Sequence, residues 1–126
     1  MLKNSPIYAF IPVRDMSRAR KFYEETLGFR PSQEMEGGAS YESANKTAFF
    51  LYQSAGAGTN EASTAFWQVE NLESEMAELR AKGVKFEDYD MPGIKTQNGG
   101  ATGGGGKVAW FKDTEGNIMA LIQDDM

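Results

Sequence analysis

The spacing of apolar residues alternates between a strand period and a helix period, and it does so twice along the chain. The first apolar run, Ile7–Val13, is β-rich and opens after Ser5-Pro6; alternation sends Tyr8, Phe10 and Pro12 to one face and Ile7, Ala9, Ile11 and Val13 to the other. Asp15 then stands as an N-cap, and Met16, Ala19, Phe22, Tyr23 and Leu27 recur at helical spacing until Gly28 closes the segment. Residues 32–36, 39–43 and 47–52 read as short antiparallel strands, with Gly37-Gly38 and Ala44-Asn45 as turn chemistry.

After the small and polar stretch 54–62 (SAGAGTNEA), which has the composition of a linker, the pattern starts again. Residues 63–69 alternate like a strand, Asn71 takes the N-cap position, and Leu72, Met76 and Leu79 mark a helix face closed by Gly83. Val13, Asp15, Met16 and Tyr23 fall on Val69, Asn71, Leu72 and Leu79 at a constant offset of 56 residues, which reads as an internal duplication. Residues 85–89, 107–112 and 118–123 supply further strands, and Asp113–Asn117 (DTEGN) reads as a hairpin turn. The expected architecture is α+β: one domain over residues 1–126, made of two tandem βαβββ modules at about 5–53 and 63–124 joined by the linker.

Composition narrows the chemistry. A formal net charge of -5 argues against nucleic acid as a partner. Zero cysteines remove disulfides, thiolate nucleophiles and Cys-based metal sites; zero histidines remove the commonest metal ligand and general base. No apolar stretch is long enough to span a bilayer, and MLKNSPIYAF lacks the features of a signal peptide, so no membrane partner and a cytoplasmic location are expected. The segment from Tyr89 to Lys107 holds seven of the 14 glycines. Its GGGGK end fails the phosphate-loop pattern at Val108, and a flap or plain loop, with Tyr89, Met91, Ile94 and Lys95 within reach of a ligand, is the expectation.

The strings IPVRDMSRARKFYEETLGF, FWQVENLESEMAELRAKGVKF and WFKDTEGNIMALIQ, taken in order, resemble the vicinal oxygen chelate superfamily. That family includes glyoxalase I, bleomycin-resistance proteins, fosfomycin-resistance enzymes and extradiol dioxygenases. The resemblance covers nearly the whole chain and implies two curled sheets around one cleft, and a homodimer. It also implies that a metal, where the family binds one, would be held five residues before each strand Val and near the end of the last strand. Here those positions carry Tyr8, Thr64 and Ala120, none of them a usual metal ligand. The expectation is therefore no metal and no cofactor, although Glu42, Glu61, Glu87, Asp88 and Asp90 leave an atypical carboxylate site open.

With the implied ligand position on the cleft face, alternation places Tyr8, Phe10, Thr64, Phe66, Gln68 and Ala120 along the cleft, together with Ile118 and Ile122. Met119 and Leu121 are left for the core. Trp110 joins the cleft if the hairpin pairs it with Ala120; a one-residue slip would substitute Phe111. For Tyr41, Phe49 and Tyr52, core packing or a dimer contact is expected. Aromatic rings beside hydroxyl and amide groups suit a small-molecule pocket. Two functions follow. One is a metal-free, bleomycin-resistance-like protein sequestering a partly aromatic metabolite or drug; the alternative is a glyoxalase-like lyase or isomerase, or a dioxygenase-like enzyme, with an atypical site.

Overall fold

The computed structural model describes residues 1–91, 94, 95, 99–103 and 106–124, with 90, 91, 94, 95, 101–103 and 124 described as backbone only. β1 (Ala9–Val13), α1 (Met16–Lys21), β2 (Pro31–Met35), β3 (Gly38–Glu42) and β4 (Ala48–Gln53) form the first unit. β5 (Ser63–Gln68), α2 (Leu72–Ala81), β6 (Phe86–Glu87), β10 (Gly106–Lys112) and β11 (Ile118–Asp124) repeat it. Between β6 and β10 lie β7 (Asp90–Met91), β8 (Ile94–Lys95) and β9 (Gly100–Gly103). The sheets run β1-β4-β3-β2 and β5-β11-β10-β6, and each starts with a parallel pair, β1 with β4 and β5 with β11. The α+β class and the repeated βαβββ pattern are therefore as expected.

Local chemistry explains the helix starts. The Asp15 carboxylate accepts from the Arg18 amide and the Asn71 side chain accepts from the Ser74 amide, each satisfying a donor that the first turn leaves unpaired. After α1 the backbone widens into a π-helical turn, Phe22–Thr26, with the Leu27 amide bonded to the Phe22 carbonyl. The extra residue in that turn breaks the regular helical spacing expected through Leu27. It still lets Tyr23 face fully inward.

One face of each sheet joins a shared core. Ile11, Val13, Tyr41, Phe49 and Leu51 from the first sheet, and Phe111, Met119 and Leu121 from the second, are buried. Rings carry the packing across: Tyr41 stacks on Phe49 at 5.2 Å, Phe49 meets Trp67 edge-on at 6.1 Å, and Trp67 stacks on Phe111 at 6.2 Å. Tyr41 and Phe49 are thus core, as expected, while Tyr52 lies on the outer face against Phe10 at 5.0 Å. Ile7 does not pack on the helices. β1 begins only at Ala9, and Ile7 is 92% exposed.

A polar lock ties the halves together at the DTEGN hairpin. Asp113, Glu115 and Asn117 are all buried. Tyr23 Oη donates to Asp113 Oδ2 at 2.7 Å, while the Glu115 and Asn117 amides donate to Asp113 Oδ1 at 2.9 and 2.8 Å. Glu115 Oε1 accepts from the Arg14 and Asp15 amides, both at 2.9 Å, and the Arg18 guanidinium grips both carboxylate oxygens. Burial alone would raise the Glu115 pKa, but Arg18 and the donated bonds outweigh it and hold the value at about 2. Asn117 donates to the Pro12 carbonyl and accepts from the Gly58 amide.

The stretch 54–62 is correspondingly less free than its composition suggests. Ala57 is buried, and Gly58, at φ +72°, crosses the hairpin so closely that a Cβ there would run into the Glu115 carbonyl. The glycine-rich segment also carries structure unforeseen from sequence. Gly100–Gly103 pairs antiparallel with β10, β7 pairs with β8, and the Gly99 amide donates to Asp88 Oδ1 at 2.8 Å. The expected reach of the Met91, Ile94 and Lys95 side chains, and the Asp90 carboxylate, lie outside the described side chains.

Candidate functional site

Alternation puts the expected site residues on one face of each sheet, in two groups rather than along a single cleft. On the first sheet Phe10 is 69% exposed and Tyr8 44%, whereas Ile11 and Val13 on the opposite face are buried. Phe10 pairs with Phe50 in register, and the ring centroids are 6.3 Å apart for Tyr8 and Phe50, 5.8 Å for Phe50 and Phe10, and 5.0 Å for Phe10 and Tyr52. Phe50 was not singled out from sequence, although its parity, opposite to that of Phe49, marks it.

On the second sheet, Phe66, Ala120, Trp110 and Glu87 form one cross-strand row, since Phe66 pairs with Ala120, Ala120 with Trp110, and Trp110 with Glu87. The hairpin register is the one that puts Trp110, rather than Phe111, beside Ala120, and Phe111 is buried. Met119 and Leu121 are core, as expected. Phe66 is 59% exposed, Gln68 is exposed and Thr64 is half-buried.

Ala120 differs from the others in being almost fully buried, at 2% exposure. The reason is the indole above it. Trp110 Nε1 donates to Ser63 Oγ at 3.0 Å, and Trp110 stands on β10 whereas Ser63 stands on β5, with β11 between them. The bond can close only if the indole lies across β11, where Ser63 pairs with Ile118 and Trp110 with Ala120. A methyl group at position 120 leaves room for that; a long side chain there would lift the ring. Tyr89 meets the indole edge-on at 5.4 Å, and burial raises its phenol pKa, helped by the Glu87 charge. Ser63 and Glu87 were not foreseen as partners of Trp110, because the first is a strand end and the second one of many acids.

A concavity of about 360 Å³ opens where the edge strands β1 and β5 approach, lined by Ile7, Ala9, Phe66 and Gln68 and by the turn around Asn45. Tyr8 and Phe10 project from the other face of β1, so within one chain the expected site residues form two groups and no ring contact joins them among the described residues.

The three positions at which the family resemblance would place a metal do not fit one. Tyr8 offers a phenol, Thr64 an alcohol and Ala120 a methyl group under an indole, and a hard divalent ion needs several charged or strongly basic donors at once. Among the described residues no three acidic side chains gather into a metal-holding group, and Asp88 is engaged by the Gly99 amide.

Comparison with known proteins agrees with the architecture. The family model described as Glyoxalase/Bleomycin resistance protein/Dioxygenase superfamily matches residues 6–121, and the chain belongs to that superfamily. No curated protein matches the chain. Among solved structures it is similar to UcmS2, with 21% identity over 91% of this chain and 94% of that one, at a TM-score of 0.73. It is also similar to TnmS3, an antibiotic binding protein from Streptomyces sp. CB03234, with 22% identity over 97% and 98% of the two chains, at a TM-score of 0.69. The fosfomycin resistance protein FosX from Listeria monocytogenes matches with 10% identity over 98% and 95% of the two chains, at a TM-score of 0.71.

Proposed function

We propose that this chain is a small-molecule-binding protein that holds a planar, partly aromatic, neutral or cationic guest by stacking, without a metal. The observation that carries this reading is the Trp110 indole laid over Ala120, which turns the place of an expected metal ligand into an aromatic floor. Phe66 stands at one end of that row and Glu87 at the other, so a ring resting on the indole has an apolar wall on one side and a carboxylate on the other. The net charge of -5 favours the same class of guest. The similarity to TnmS3, an antibiotic binding protein, supports a sequestering role over a catalytic one.

Titration with a planar cationic dye of the acridine class, followed by tryptophan fluorescence, tests this. Saturable quenching is expected, with affinity falling about tenfold or more in Trp110→Ala through lost stacking. Equal affinity in the variant would remove the indole from the site.

The second part of the proposal is a homodimer in which the outer face of one sheet meets a face of the second copy. This would cover the Tyr8, Phe10, Phe50 and Tyr52 rings and close the two groups of site residues into one cleft. Light scattering should give twice the monomer mass at micromolar concentrations; a monomer throughout that range would contradict it.

A further inference from the structure

On the helix side of the second sheet, away from the outer faces, a groove of about 210 Å³ runs between the end of the first helical segment and α2. Its walls are Leu27, Phe29, Leu79 and Trp67, and its floor is Phe111 and Leu121. The floor residues are buried, but the four wall residues are only half-buried, so large apolar side chains stop short of closing over the gap. The π-helical turn Phe22–Thr26 sets this up, because it delivers Leu27 and Phe29 to the rim one residue later than a regular helix would.

We propose that this groove is a second ligand site, distinct from the Trp110 face, and that it takes a small aromatic amine. Size gives the first constraint. A cavity of about 150 Å³ accepts benzene, so the space here suits a six-membered ring with a short tail. The walls give the second. Phe29 and Trp67 stack at 5.9 Å and Trp67 continues onto Phe111 at 6.2 Å, which gives the groove an aromatic lining suited to a flat guest and to a cation beside it.

Charge gives the third constraint. Glu75 lines the groove from α2, and its carboxylate has no ion pair or hydrogen bond among the described residues, while its backbone amide donates to the Asn71 carbonyl. The neighbouring cation on α2, Arg80, is held over the Phe86 ring at 5.3 Å. An ammonium on the guest's tail would pair with Glu75 while the ring rests against Trp67.

Benzylamine is the probe, with benzyl alcohol as its uncharged counterpart, followed by the shift of the Trp67 indole N–H in heteronuclear NMR spectra. The expected result is a saturable shift within about 10 mM benzylamine, in keeping with a fragment of this size. Affinity should be about tenfold weaker for benzyl alcohol, and about tenfold weaker for benzylamine with Glu75→Gln. Glu75 is a partly exposed helix residue, so that variant should fold. Trp110→Ala should leave benzylamine binding unchanged, which separates this site from the dye site. No saturable shift, equal affinity in Glu75→Gln, or loss of the shift in Trp110→Ala would each overturn the proposal.

Discussion

Replacing Asp113 with alanine should cost about 3 to 5 kcal/mol in denaturant melts, as much as truncating a large core side chain. The carboxylate takes four hydrogen bonds: from Tyr23 Oη, from the Glu115 and Asn117 amides, and from Asn117 Nδ2 at 2.9 Å. All of these donors sit where water does not reach. Each orphaned buried donor costs about 1 to 3 kcal/mol, and partial relaxation of the hairpin keeps the total below the sum. Tyr23→Phe removes only one donor and should cost about 1 to 2 kcal/mol. Burial, then the Asp113 charge, raises the Tyr23 phenol pKa well above its ordinary 10, so the phenol stays a donor at alkaline pH. A loss in Asp113→Ala no larger than in Tyr23→Phe would show that the hairpin is not the anchor between the halves.

The second large effect separates core from candidate site on a single pair of strands. Ile11→Ala and Val13→Ala remove buried methyl groups at positions 1% and 0% exposed, and should cost about 1.5 to 4 kcal/mol each. Phe66→Ala removes more atoms from β5, yet the ring is mostly in solvent, and the expected cost is below about 1 kcal/mol. The same variant should weaken binding of the dye on the Trp110 face. Chemical denaturation of the three variants decides the order. If Phe66→Ala proves the most destabilising, the outer face is filled core and the stacking account loses its physical basis.

What the sequence discloses is the part that depends on near neighbours. Asp15 and Asn71 cap their helices because a cap is satisfied within three residues, and Trp110 faces Ala120 because a five-residue hairpin sets the register. Alternation alone separates Phe10 from Ile11 and Phe66 from Trp67. The hidden part depends on distant partners. Glu115 reads as one more turn acid until folding brings the Arg14 and Asp15 amides to it from about a hundred residues away. The burial of Ala57 in an apparent linker has the same origin, since the hairpin it packs near is remote in sequence. The Gly100–Gly103 strand escapes pattern reading for another reason: with glycine at both ends of a four-residue strand there is no apolar alternation to read, and only the pairing with β10 defines it. The Trp110 to Ser63 bond required both module topology and register, neither of which composition reveals.

The central claim, that stacking on Trp110 replaces metal chemistry at this site, meets its most direct test in elemental analysis of protein purified without added metal. The account predicts no stoichiometric manganese, iron, nickel or zinc, and thermal stability unchanged by a chelator. Near-molar metal, whose removal by chelator lowers the melting temperature, would contradict it.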